Sequence, residues 1–125
     1  MMYENEYCKL VAFEEDHVVY FKWYQYCAYE VYREPLRLIL KELSKNAGSA
    51  LIIDARCGFE DEKEDVEWVF REFIPKLPEL GTKKVIFLTH AVNEIEGEID
   101  MFTAEFMKYV EVEQSTSLAE ALSKC

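Results

Sequence analysis

The sequence predicts an α/β fold with a mixed, mainly parallel sheet under helical cover, in the order β-β-α-β-α-β-α-β-α. Three observations predict it. Residues 50–55 and 84–88 are short, continuous apolar runs, the pattern of strands buried on both faces. Each is followed by a stretch with apolar residues at three-four spacing, the mark of an amphipathic helix. Ahead of them, residues 7–24 hold two β-rich stretches across a polar break. Strands alternating with helices after a hairpin imply a mainly parallel sheet, and right-handed crossovers limit its topology.

Residues 7–13 alternate, Glu14, Glu15 and Asp16 break the run, and residues 17–24 are dense in β-branched and aromatic side chains. This pattern predicts an antiparallel hairpin with a three-residue turn. Tyr29, Tyr32, Leu36, Ile39, Leu40 and Leu43 mark one face of a helix over about 28–45, with Pro35 predicting a kink or a helix start near that point. Asn46, Ala47 and Gly48 end it.

Residues 50–55 form the next strand, with Asp54 at its C-terminal end. Residues 60–67 carry six acids and one lysine and read as a solvated helix start, where the helix dipole favours negative charge. Val66, Val69, Phe70, Phe73, Ile74 and Leu77 continue that helix over the sheet, and Pro75 and Pro78 close it. Ile52, Ile53, Val85, Ile86, Phe87 and Leu88 are expected in buried central strands.

Residues 91–97 read as a loop, and Ile99, Phe102, Phe106 and Met107 as a helix face over about 98–107. Residues 109–113 alternate as an edge strand. Ser117 and Glu120 fit a capping box at the start of a last helix carrying Leu118, Ala121 and Leu122.

The chain has 125 residues, expected to form a single domain over 1–125, and half of them are apolar, which excludes disorder. Fourteen basic and 25 acidic residues give a net charge of −11, so neither nucleic acid nor an anionic membrane surface is an expected partner. No apolar run approaches the length of a membrane span, and the N-terminus lacks the basic and apolar regions of a signal peptide. A cytoplasmic protein without integral membrane association is expected. Cys8, Cys27, Cys57 and Cys125 form no CxxC pair, so reduced thiols are the expectation. With only His17 and His90 besides, neither a structural metal nor a cofactor is expected.

Three stretches carry a resemblance. They are residues 50–54 with the polar loop and long helix after them, residues 84–90, and residues 102–106 leading into 109–112 and 117–122. Together they resemble the STAS domain, the SpoIIAA-like fold of anti-sigma factor antagonists, and within it the lipid-binding-like subgroup related to CRAL-TRIO domains. Over the first fifty residues the likeness is one of element order only. The resemblance implies a regulatory or interaction role. Anti-sigma antagonists of this fold carry a phosphorylatable serine in the loop after the central strand. Here that loop runs through Asp54, Ala55, Arg56, Cys57, Gly58, Phe59 and Glu60, and residues 50–80 contain no Ser or Thr. A phospho-switch needs a hydroxyl to carry the added charge, so it cannot operate there.

Open α/β sheets bind ligands beyond the C-terminal ends of their parallel strands. Those ends present Asp54, Arg56 and Cys57 from one strand and Thr89 and His90 from its neighbour, a candidate ligand or partner crevice. Cys57 with His90, oriented by Asp54, is the only nucleophile pair in view, but no family signature surrounds it, and the acidic run nearby disfavours a thiolate. Aromatic residues are concentrated over 20–32, and strand alternation puts Tyr20 and Tyr24 on one face and Phe21 and Trp23 on the other. Tyr20, Trp23, Tyr24 and Tyr29 are therefore candidates for an apolar pocket wall or an interface, the alternative being an aromatic core beneath the first helix.

Two functions follow as expectations. The first is a non-catalytic regulatory or protein-interaction domain of STAS-like type, whose partner is another protein or a second copy of itself. The alternative is a small-molecule or lipid-binding module with an apolar crevice between helices and sheet. An enzyme using Cys57 and His90 ranks last. A kinase preparation active on anti-sigma antagonists is expected to leave residues 50–80 unmodified in peptide mass mapping, and phosphate on any of them overturns the lost switch.

Overall fold

The computed structural model describes residues 2–90 and 95–125. Its strands are β1 (Met2–Glu4), β2 (Cys8–Phe13), β3 (Val18–Trp23), β4 (Ala50–Asp54), β5 (Lys84–Leu88) and β6 (Glu111–Ser115). Its helices are α1 (Glu30–Lys45), α2 (Lys63–Trp68), α3 (Lys76–Glu79), α4 (Glu96–Phe106) and α5 (Leu118–Ser123), with a π-helical stretch, Val69–Phe73, joining α2 towards α3. The six strands form one mixed sheet whose spatial order equals their chain order. β1, β2 and β3 pair antiparallel, and β3 to β6 pair parallel. The chain thus has an α/β fold. No helix among the described residues is long and apolar enough to cross a membrane.

The hairpin turn is a 3₁₀ turn, Glu14–Asp16, closed by His17 at φ 55°. The His17 carbonyl then accepts the Ala50 N–H at 2.9 Å, which starts the β3–β4 register where Val18 meets Ala50. β1 was not foreseen. Its three residues carry little strand signal, and it pairs with β2 because Asn5 makes the turn, its Oδ1 accepting the N–H groups of Tyr7 at 2.7 Å and Cys8 at 3.0 Å.

Helix 1 starts at Glu30 and runs through Pro35, so the helix start expected near the proline is not there. Proline at the sixth residue deletes a single intrahelical bond, the one to the Val31 carbonyl, and Val31 is an exposed residue. The second helical segment is not one helix. It widens into the π-helical stretch and restarts after Pro75, which lacks the N–H to continue it and precedes α3. The strand expected at 109–113 begins later, at Glu111, because the N–H groups of Tyr109 and Val110 still bond the Phe106 carbonyl at 2.9 Å and close α4. The fourth helix starts at Glu96, two residues before the expected boundary, and residues 91–94 of the expected loop lie outside the described residues. Ser117 caps α5 as expected, its Oγ accepting the Glu120 N–H at 3.1 Å.

Each face of the sheet has its own core. On one, Leu10, Val19, Phe21, Leu51, Val85 and Phe87 meet α1, α2, the π-helical stretch, α3 and α4. On the other, Val18, Tyr20, Ile52, Ile86 and Leu88 meet only α5, through Ala121, Leu118 and Leu122. Ile53, expected to be buried, is partly exposed. Phe73 is 1% exposed and packs edge-on to Phe106 at 6.5 Å, whereas Phe70 is half-buried against Phe102. Phe73→Ala should therefore cost about 3–5 kcal/mol in urea unfolding and Phe70→Ala distinctly less. Equal costs would show that Phe70 shares the same core.

Candidate functional site

The sheet, α1, the loop after β4, the π-helical stretch and α4 line a half-open cavity of about 70 Å³ at the C-terminal ends of β3, β4 and β5. Its floor is Phe21 and Trp23 from β3, Ile53 and Ala55 at the end of β4, and Phe87 from β5. These are the side chains that strand alternation turns towards the crossover helices. Tyr32 and Leu36 from the first turns of α1 and Val69 and Phe73 from the π-helical stretch add walls. The ring of Trp23 stacks on Tyr32 at 5.0 Å and 12°, and Phe59 meets Trp23 edge-on at 5.6 Å. Phe59 reaches this place because the chain turns sharply after β4, the Gly58 N–H bonding the Ala55 carbonyl at 3.0 Å. A Cβ on Gly58 would lie 2.8 Å from the Ile95 side chain and 2.9 Å from the Ala55 carbonyl oxygen, so glycine permits this closure.

The polar end of the cavity is acidic. Asp61 and Glu98 both line it, and the Asp61 N–H donates to Glu98 Oε1 at 3.3 Å. The Tyr32 hydroxyl donates a short hydrogen bond to Asp61 Oδ2. Burial pushes the Asp61 carboxyl up to about 7; Tyr32 opposes this, while the charges of Glu98 and Asp65 add to it. Glu98 is raised too, chiefly by burial and further by Glu60, against the bond from the Asp61 N–H. Burial, with Asp61 second, lifts the Tyr32 hydroxyl well above the ordinary tyrosine range.

One deeper carboxylate holds the frame. Asp65 is fully buried and accepts the Tyr29 N–H at 2.8 Å and Arg33 Nε at 2.9 Å. Tyr29 sits at φ 58° just ahead of α1, a conformation that a non-glycine residue adopts only when its surroundings hold it. Asp65, from α2, thus caps α1 across the gap between the two helices. Arg33 and Arg37 also lie over the Trp68 ring, at 5.8 and 5.4 Å, which fastens the same pair of helices.

The candidate residues read from the sequence divide between different places. Asp54 is fully buried on the opposite face of the sheet, beside Tyr20 and Ile52. Its Oδ2 accepts the Tyr20 hydroxyl at 2.6 Å, and Arg56 grips both its oxygens, Nε on Oδ1 at 2.9 Å and Nη2 on Oδ2 at 2.7 Å. Burial raises this carboxyl, but the bonds from Arg56 and Tyr20 outweigh it and leave it below its ordinary value. Asp54 and Arg56 therefore make a closed ion pair apart from the cavity. Cys57 and His90 are exposed, and Thr89 is buried with its N–H on the Ser115 carbonyl at 2.9 Å. Of the four aromatic candidates only Trp23 lines the cavity; Tyr20 lies on the α5 face, Tyr24 is half-buried with its hydroxyl on Glu4, and Tyr29 is exposed.

Sequence reading passed over Asp61, Glu98, Tyr32 and Phe59 as cavity residues. The signal available was the acidic run itself, which looks like any solvated helix start. In the fold its Asp61, Glu62 and Asp65 accept hydrogen bonds from Tyr32, Tyr26 and Tyr29 of the aromatic stretch. At the opposite ends of the strands a larger depression of about 420 Å³, lined by Thr82, Lys83, Tyr109 and others, is wide open and has no enclosed apolar wall. No family model and no curated protein sequence matches the chain.

The Asp61 carboxyl gives a pH test. Its native value of about 7 lies above the ordinary 3.8. Between those two values the folded chain keeps a proton that the unfolded chain has released. Stability from this group is therefore highest below about pH 4 and falls as pH rises towards 7, by up to roughly 4 kcal/mol. Asp61→Asn removes the slope, so the variant should gain on the wild type between pH 4 and 7 in urea unfolding. Parallel curves for the two proteins across that range would exclude a protonated native Asp61.

Proposed function

We propose that the chain is a non-catalytic binding domain of STAS-like type, whose ligand places a small apolar group in the cavity between the helices and the sheet. The half-open, aromatic-walled cavity at the C-terminal strand ends carries this proposal, being where open α/β sheets recognise ligands. Its volume of about 70 Å³ limits the ligand. Drug-sized ligands occupy roughly 300–1,000 Å³, and an engineered apolar cavity of about 150 Å³ takes benzene. A short aliphatic group matches the cavity's volume, whereas a whole lipid chain exceeds it.

The second reading is a regulatory interaction domain acting in the cytoplasm on a protein partner or a second copy. The exposed Tyr26, Tyr29 and Val31 about the start of α1 favour it. Fold likeness cannot choose between the two, because function resides in the site.

Xenon added to the protein should shift the methyl resonances of Ile53 and Ile99, which line the cavity. Ala55→Leu, which fills it at a cost of about 1–3 kcal/mol, should abolish those shifts. Native mass spectrometry of protein from its own source should retain a small adduct. A chain that ignores both probes and co-purifies with a protein, or runs as a clean dimer, would favour the second reading instead.

A further inference from the structure

The cavity has a direction. Its inner walls are aromatic and aliphatic, and its polar end carries the carboxylates of Asp61 and Glu98. No lysine or arginine is among the described residues lining it. The three arginines adjacent in sequence to the cavity walls are engaged elsewhere, Arg33 by Asp65, Arg37 by Glu30 and Arg56 by Asp54 on the far face of the sheet. Glu98 Oε1 takes the Asp61 N–H and Asp61 Oδ2 takes the Tyr32 hydroxyl, while Glu98 Oε2 and Asp61 Oδ1 have no hydrogen-bond partner among the described residues. The site thus offers two acceptor oxygens and negative charge at one end of an apolar, aromatic-walled space.

From this geometry we infer that the cavity selects a small alkylammonium molecule, with the short carbon tail among Trp23, Phe73 and Phe87 and the ammonium group on Asp61 and Glu98. This inference rests on the cavity being a binding site and adds the chemistry of the head group. Two physical terms agree on it. An ammonium group supplies up to three donors to acceptors that lack them. Its charge offsets two carboxylates crowded at the edge of a low-dielectric space. A carboxylate head, as in a fatty acid, would instead meet like charge and no donor side chain of lysine or arginine. A free amine is the source the fold favours over a lysine side chain of a docked peptide. The strands that floor the cavity, β3, β4 and β5, are interior and paired on both sides, so no sheet edge is open beside it to hold a peptide backbone.

The test compares one tail with three heads. n-Butylammonium, 1-butanol and butyrate are titrated into the full chain at pH 8 and followed by chemical shifts of the Ile53 and Ile99 methyls and the Trp23 indole. The expected order is butylammonium, then butanol about tenfold weaker, then butyrate weakest, a tenfold step being about 1.4 kcal/mol. Glu98→Gln should reduce the amine affinity about tenfold and leave butanol unchanged. Butyrate binding as tightly as the amine would overturn the head-group assignment while the cavity remained a binding site. No shift with any of the three would overturn both. Amine shifts confined to the exposed Glu64 and Glu67, with butanol silent, would mark a non-specific surface charge effect and also overturn it. Tighter binding of Nα-acetyl-lysine methylamide than of butylammonium would move the source from a free amine to a protein side chain.

Discussion

The constraint on which the rest of this structure depends is that the strands lie in the sheet in the order in which the chain makes them. Each parallel connection from β3 to β6 turns with the same hand. Every crossover helix therefore lands on one face, and that face receives α1, α2, the π-helical stretch, α3 and α4. The other face is left to α5 alone. A deep aromatic core and its cavity form on the crowded face, where helices meet one another as well as the sheet. The sparse face carries a thinner core and, beside it, the closed ion pair of Asp54 and Arg56 under the hydroxyl of Tyr20.

The acidity of the chain takes on a structural sense in this frame. Tyr20, Tyr24, Tyr26 and Tyr32 each give a hydroxyl to a carboxylate, and the Tyr29 N–H goes to another. The aromatic stretch and the acids are thus two halves of one set of contacts. A tyrosine can bury its ring and still satisfy its hydroxyl, which is why the residue suits a core bordered by charge. These carboxylates differ in their surroundings. Asp54 has a guanidinium and is held in its ionised form. Among the described residues Asp61 has a hydroxyl donor and acidic neighbours, so burial prevails and its proton is retained to about pH 7.

That contrast separates a structural carboxylate from a site carboxylate. Asp54 gains nothing from a further ligand, since its charge is already met on both oxygens. Asp61 and Glu98 would gain from a cation, since no ion pair reaches them among the described residues. The cysteines have no comparable setting. Cys8 and Cys27 are buried, and burial pushes their thiols up to about 11 and 12, the values of inert core side chains.

The sequence by itself determined the α/β class, the hairpin, the two buried central strands, the first helix and the cap of the last. Each of these is written in local periodicity or in a single side chain reaching its own backbone, as Ser117 does. The three-residue β1, the π-helical break and the late start of β6 depend on partners distant in the chain, and no local pattern encodes them. For the site, the sequence marked the C-terminal strand ends and Trp23. It also grouped Asp54 with the crevice, although the pleat of β4 sends that side chain to one face and Ile53 and Ala55 to the other. Only the tertiary structure decided which face the helices cover, and so which of those neighbours sees the cavity. The meeting of Asp61 with Tyr32 and Glu98 was likewise settled there, since those residues are separated by 29 and 37 positions and brought together by packing alone.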